Sequence, residues 1–137
     1  ARGLPETGFK ETYRRYAKSL IAVGDGEGSD QVVGLRTEII AVDNPYTNDL
    51  SDGLVFQVLL DGAPRAQAQV ELYARPYEAG GQGPAEVSLH RTDSEGFVTL
   101  PLAPNMEYMV DAVVLEEGAE GIAWHSLWAN LTFATPR

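Results

Sequence analysis

Cysteine is absent from the 137 residues of this chain. Its absence excludes disulfides, thiolate-held zinc and any cysteine nucleophile. It leaves the compartment open, because reducing cytosol and a cysteine-poor periplasm both accommodate it. Positive charge is scarce. Ten Lys and Arg stand against twenty Asp and Glu, a formal net charge of −10. Such a chain repels phosphate backbones and anionic membrane surfaces, which disfavours nucleic acid and lipid as partners. Histidine occurs twice and tryptophan twice, which leaves little material for acid–base or metal chemistry. No apolar run approaches the ~20 residues of a membrane-spanning helix. No Gly-x-Ser-x-Gly elbow, phosphate loop, dinucleotide fingerprint or His-Glu-x-x-His is present. No secretory leader opens the chain, and "ARGLPETGFK" does not resemble a translation start. A piece of a longer precursor is expected.

What the chain does have is short apolar runs separated by Gly, Pro, Asn and Asp. That spacing predicts an all-β sandwich of about seven or eight mostly antiparallel strands. Residues 1–15 read as an irregular lead-in and 16–137 as one sandwich domain. "YAKSLIAVG" (16–24) is read as the first strand, followed by a loop over Gly24–Ser29. "LRTEIIAVD" (35–43) and "GLVFQVLLDG" (53–62) follow, the latter apolar on both faces like a doubly buried strand. "QAQVELYAR" (67–75) sets Ala68, Val70, Leu72 and Ala74 on one face and polar residues on the other. Residues 76–86, rich in Gly and Pro, read as a mobile loop. Val87–Thr92 and Phe97–Leu102 are expected to form a hairpin around a type I turn, with Asp93 first and Gly96 fourth. Glu107–Glu117 and Trp124–Phe133 complete the set.

The terminal segment "WHSLWANLTF" holds both tryptophans and one histidine. Alternation sets His125 on the face of Leu127, Ala129, Leu131 and Phe133. Trp124 and Trp128 then share the opposite face with Ser126, Asn130 and Thr132. Two indoles on the less apolar face mark an interface, so Trp124 and Trp128 are candidate contact residues for another domain. A sugar platform is the weaker alternative. If the last two strands are antiparallel neighbours, Glu116 and His125 meet at one sheet end and are the candidate ligands of a divalent cation. His90 reads as a surface imidazole. "TDSEGF" lacks the alternating acidic positions of a calcium loop and reads as a plain turn. An enzyme such as a glycoside hydrolase would need paired carboxylates across a cleft.

The ordered motifs carry a family resemblance. "RRYAKSLIAVG", "EIIAVDNPY", "GLVFQVLLDGAPRAQAQVELYA", "RTDSEGFVTLPLAPNMEYMVDAVVLEE" and "WHSLWANLTF" follow one another as they do in the C-terminal domain of the domain of unknown function 4198 family. The chain resembles that domain from about Tyr13 onward. Members are described as periplasmic components of cobalt or nickel ABC transport systems. The resemblance implies a periplasmic or secreted protein, an immunoglobulin-like or prealbumin-like sandwich, and a non-enzymatic accessory role near nickel or cobalt uptake. A structural or protein-interaction module with no ligand of its own is the alternative. The resemblance also implies an N-terminal half with its own histidines, which this chain lacks, and it makes that half or a transporter component the expected partner of Trp124 and Trp128. Where the family has a histidine in its penultimate strand, "AVVLE" carries Val114. Where it is acidic after the first tryptophan, this chain carries His125. Glu116 alone carries over in place.

Overall fold

Period-two alternation along the chain becomes nine strands among the described residues, which are 11–77 and 84–136 of the computed structural model. They are β1 (Glu11–Ser19), β2 (Thr37–Ala41), β3 (Leu54–Leu60), β4 (Ala63–Pro64), β5 (Gln69–Pro76), β6 (Glu86–Arg91), β7 (Phe97–Leu100), β8 (Met106–Glu117) and β9 (Trp124–Ala134). One sheet has the order β1-β9-β8-β5-β6. The other centres on β3, which pairs with β2 along one edge and with β4 and β7 along the other. All pairings are antiparallel except β1 with β9. The result is an all-β sandwich whose sheets do not close into a barrel.

The inner faces follow from the alternation. Val70 and Leu72 of β5, Val110 and Ala112 of β8, and Leu131 and Phe133 of β9 meet Ile39, Leu54, Phe56, Val58 and Leu100 of the facing layer. Phe56 stacks on Phe133 across the layers, ring centroids 5.5 Å apart. The Tyr108 hydroxyl accepts a hydrogen bond from the Ala103 N–H at 2.7 Å. It thereby pins the crossover into β8, the tyrosine-corner device of Greek-key sandwiches. Turn chemistry also follows the sequence. Asp61 and Gly62 both have positive φ and join Leu60 to Ala63, the geometry of a two-residue type I′ hairpin.

Three expectations are corrected. The first strand is Glu11–Ser19 rather than 16–24, so the expected lead-in already carries strand from Glu11. It runs parallel to β9 over its whole length, and that pairing, invisible in local sequence, sets its bounds. Residues 20–36 hold no strand. They are pinned by Lys18, whose ammonium reaches Asp30 and Glu38 at 3.0 and 3.1 Å. Glu38, 1% exposed, also accepts the Val33, Gly34 and Leu35 N–H groups. Burial pushes the Glu38 carboxyl up, but these N–H donors and Lys18 outweigh it and hold its pKa below the ordinary value. Second, β6 and β7 are not a hairpin: β6 pairs with β5 and β7 with β3. The Asp93–Gly96 turn itself forms, closed by the Gly96 N–H on the Asp93 carbonyl at 3.2 Å. Gly96 has φ +81°, and a Cβ there would lie 2.8 Å from the Val58 carbonyl. The turn therefore sits tight against β3 and hands the chain from one sheet to the other. Third, the two-residue β4 brings the strands to nine where about seven or eight were expected. The loop expected over 76–86 overlaps residues 78–83, which lie outside the described residues.

Candidate functional site

Glu116 and His125 are direct cross-strand partners in the β8–β9 register, both on the inner face at one end of the sandwich. Each is already engaged. The His125 Nδ1 lies 2.8 Å from the Thr12 hydroxyl of β1. The Glu116 carboxylate accepts both terminal nitrogens of Arg36, at 2.5 and 3.3 Å, and Arg36 also binds Asp61 at 2.9 Å. These hydrogen bonds to two carboxylates hold the Arg36 guanidinium firmly charged. Among the described residues no group of three His, Asp or Glu side chains could hold a metal. One imidazole and one carboxylate, the latter engaged by Arg36, are two of the ligands that a nickel or cobalt site needs.

The tryptophans stand where alternation places them, on the outer face of the five-stranded sheet. Trp128 has Val113 of β8 on one side and Arg15 of β1 on the other. The Arg15 guanidinium lies over the indole, 4.9 Å from its centroid, a contact worth about 0.5–1 kcal/mol at a partly exposed site. The indole N–H donates to Ser126 Oγ at 3.0 Å, and Ser126 donates to Glu11 at 2.8 Å. Trp124, half-buried, lies between Glu117 and Glu11 in the same sheet.

Next to this indole runs a row that sequence reasoning passed over. Leu89, Glu71, Asp111, Asn130 and Ala17 lie side by side across all five strands. Asp111 is 2% exposed and accepts the Asn130 amide at 2.8 Å. Burial, reinforced by the neighbouring Glu71 carboxylate, pushes the Asp111 pKa up to about 6, against the attraction of Arg15. Tyr73 donates to Glu71 at 2.6 Å, which pushes the phenol up to about 12. The available signal was Asp111 itself, an acid inside the apolar run "YMVDAVVL". Apolar side chains ring this network on the same face: Tyr13 is 63% exposed, Leu115 61% and Leu89 64%.

A shallow groove of about 560 Å³ lies at the other end of the sandwich, lined by Leu20, Tyr46, Tyr73, Arg75, Tyr108 and Phe133 among others. Its polar groups serve the fold. Tyr46 donates to the Leu20 carbonyl at 2.5 Å, and Arg75 pairs with Glu107 at 2.7 Å. No nucleophile with an adjacent base lines it.

A family model described as Domain of unknown function (DUF4198) matches residues 5–116. The chain belongs to the domain of unknown function 4198 family. The match takes in "RYAKSL" and "TDSEGFV" and stops at Glu116, so the indole segment of this family member lies beyond it. No curated protein and no solved structure matches the chain. No helix among the described residues is long and apolar enough to cross a membrane.

Proposed function

We propose that this sandwich is a non-enzymatic interaction module that docks a neighbouring folded domain against the outer face of its five-stranded sheet. One observation carries the reading. That single face gathers Trp128 under Arg15, the buried Asp111 beside Glu71, and the exposed apolar side chains of Tyr13, Leu115 and Leu89. Large apolar side chains left in solvent around a central indole are the composition of a docking patch. The polar groups around it are mostly acidic: Glu11, Glu71, Asp111 and Glu117 against Arg15 and Arg91. The partner surface is therefore apolar at its centre and basic at its rim. Such a partner neutralises the acid pair and covers the indole in one step. The periplasmic or secreted location implied by the resemblance belongs to the same proposal.

The test uses the two tryptophans as reporters. Adding the neighbouring domain that this reading calls for should shift indole emission to the blue, and Trp128→Ala with Leu115→Glu should abolish the shift. Unchanged emission at saturating partner would defeat the reading. Metal uptake is the second reading, supported by the Glu116–His125 register and by the resemblance. Calorimetric titration with nickel and cobalt, repeated on His125→Ala, separates the two. Heat that vanishes in the variant favours the metal, and no heat at micromolar protein removes it.

A further inference from the structure

We propose that the chain self-associates through the free edge of β6. Two copies pair antiparallel, with Val87 of each opposite Leu89 of the other and Ser88 meeting Ser88 on the two-fold axis. This goes beyond the docking reading, because it uses the backbone groups of a sheet edge and shares only Leu89 with the docking patch.

β6 ends its sheet, pairing only with β5. The Thr92 N–H donates to the Ala68 carbonyl at 2.9 Å, which fixes the parity of the strand. Glu86, Ser88 and His90 turn their N–H and C=O groups toward β5, and Val87, Leu89 and Arg91 turn theirs outward. Among the described residues no backbone group bonds those outward donors and acceptors. Natural edges are guarded by charged side chains, lysine above all, by proline, by bulges or by a covering loop. "EVSLHR" has no lysine or proline, carries Glu86 and Arg91 only at its two ends, and its register with β5 runs without a bulge. The opposite edge differs. β1 carries Arg14, Arg15 and Lys18, and Lys18 ties the 29–36 segment beside it.

Register follows from face parity. Residues opposite one another in a sheet share a face, so a symmetric pair must centre on a residue. Centring on Leu89 would set Val87 against Arg91 and Ser88 against His90. Centring on Ser88 sets both Val87–Leu89 combinations apolar against apolar and places each Glu86 carboxylate opposite the other copy's His90 imidazole. Val87 and Leu89 are 52% and 64% exposed in the single chain, so the second register covers apolar surface and matches acid with imidazole together. The outward-pointing Val87 and Leu89 then exchange reciprocal hydrogen bonds across the axis. A second copy of this chain therefore complements the edge in backbone hydrogen bonding and apolarity at once.

Cysteine trapping tests this in a chain that has no cysteine of its own. In the proposed register the two Ser88 Cα atoms sit at a non-hydrogen-bonded pair, about 4.5 Å apart, within disulfide reach. The two Leu89 positions are diagonal, about 7–8 Å apart, beyond it. Mild oxidation should link S88C into a species of twice 14.8 kDa and leave L89C unlinked. Sedimentation of the uncrosslinked chain should show reversible dimers. Leu89→Pro removes an outward N–H and the apolar side chain set against Val87, leaves the bonds to β5 intact, and should weaken association at least about tenfold with an unchanged circular-dichroism spectrum. Linking of L89C instead of S88C overturns the register. A chain that remains at 14.8 kDa at high concentration, with neither variant linking, overturns the proposal.

Discussion

Asp111→Asn should stabilise this protein, and only above a certain pH. The carboxyl is buried on the outer face beside Glu71. Its pKa rises from 3.8 to about 6. At about 1.4 kcal/mol per pH unit, the ionised form costs about 3 kcal/mol relative to the protonated one. The sign follows from proton binding. The native state holds this proton over a range, roughly pH 4 to 6, where the unfolded chain has released it. Stability from this group is therefore present at low pH and lost as pH rises through that window. Asparagine mimics the protonated acid, and its amide oxygen can still accept the Asn130 hydrogen bond. Urea unfolding at a series of pH values reads the difference directly. The variant and the parent should match near pH 4 and diverge by up to about 3 kcal/mol by pH 8. Glu71→Gln should give a smaller gain of the same sign, because Glu71 is the second cause of the rise. A difference that ignores pH, or a variant less stable at pH 8, would refute the reasoning. An acid held at a position where its charge costs stability is the kind of compromise that interaction and catalytic surfaces carry.

Phe56→Ala removes the stack on Phe133 from a fully buried position, and should cost about 3–5 kcal/mol, seen as a lowered midpoint in thermal unfolding. Lys18→Met strands the buried Asp30 and Glu38 carboxylates and should cost a similar amount, about 3–5 kcal/mol at pH 7. The loss should shrink on acidification. Glu38 has a lowered native pKa, so its stabilisation is present above the unfolded value and is lost as pH falls. Arg15→Ala uncovers Trp128 and should shift tryptophan emission to the red while lowering stability by about 1 kcal/mol or less.

Much of the architecture could be read from the chain. Strict alternation at Val70 and Leu72 fixed the inner face of β5, and the Asp-Gly pair at 61–62 marked a tight connection whose type I′ geometry only the structure gives. The outward placement of Trp124 and Trp128 and the Glu116–His125 pairing followed from alternation in two neighbouring strands. What stayed hidden was partner choice. Val87–Arg91 and Phe97–Leu100 look like the arms of one hairpin, yet the turn between them delivers each to a different sheet. Period-two patterning states which side chains face inward and is silent on which layer a strand joins. The parallel β1–β9 pairing spans more than a hundred residues of sequence, so nothing local could mark its bounds. The engagement of Glu116 by Arg36 arises the same way, from a residue eighty positions away. Asp111 was visible as an acid in an apolar run, but its neighbour Glu71 arrives only through the β5–β8 register.

The most direct measurement of the docking claim compares tryptophan emission in the 137-residue chain alone with emission in the longer precursor that the docking proposal calls for. A buried outer face in the precursor predicts a blue-shifted maximum there, returned toward the isolated chain's value by Leu115→Glu. Identical maxima, unmoved by that substitution, would contradict the account.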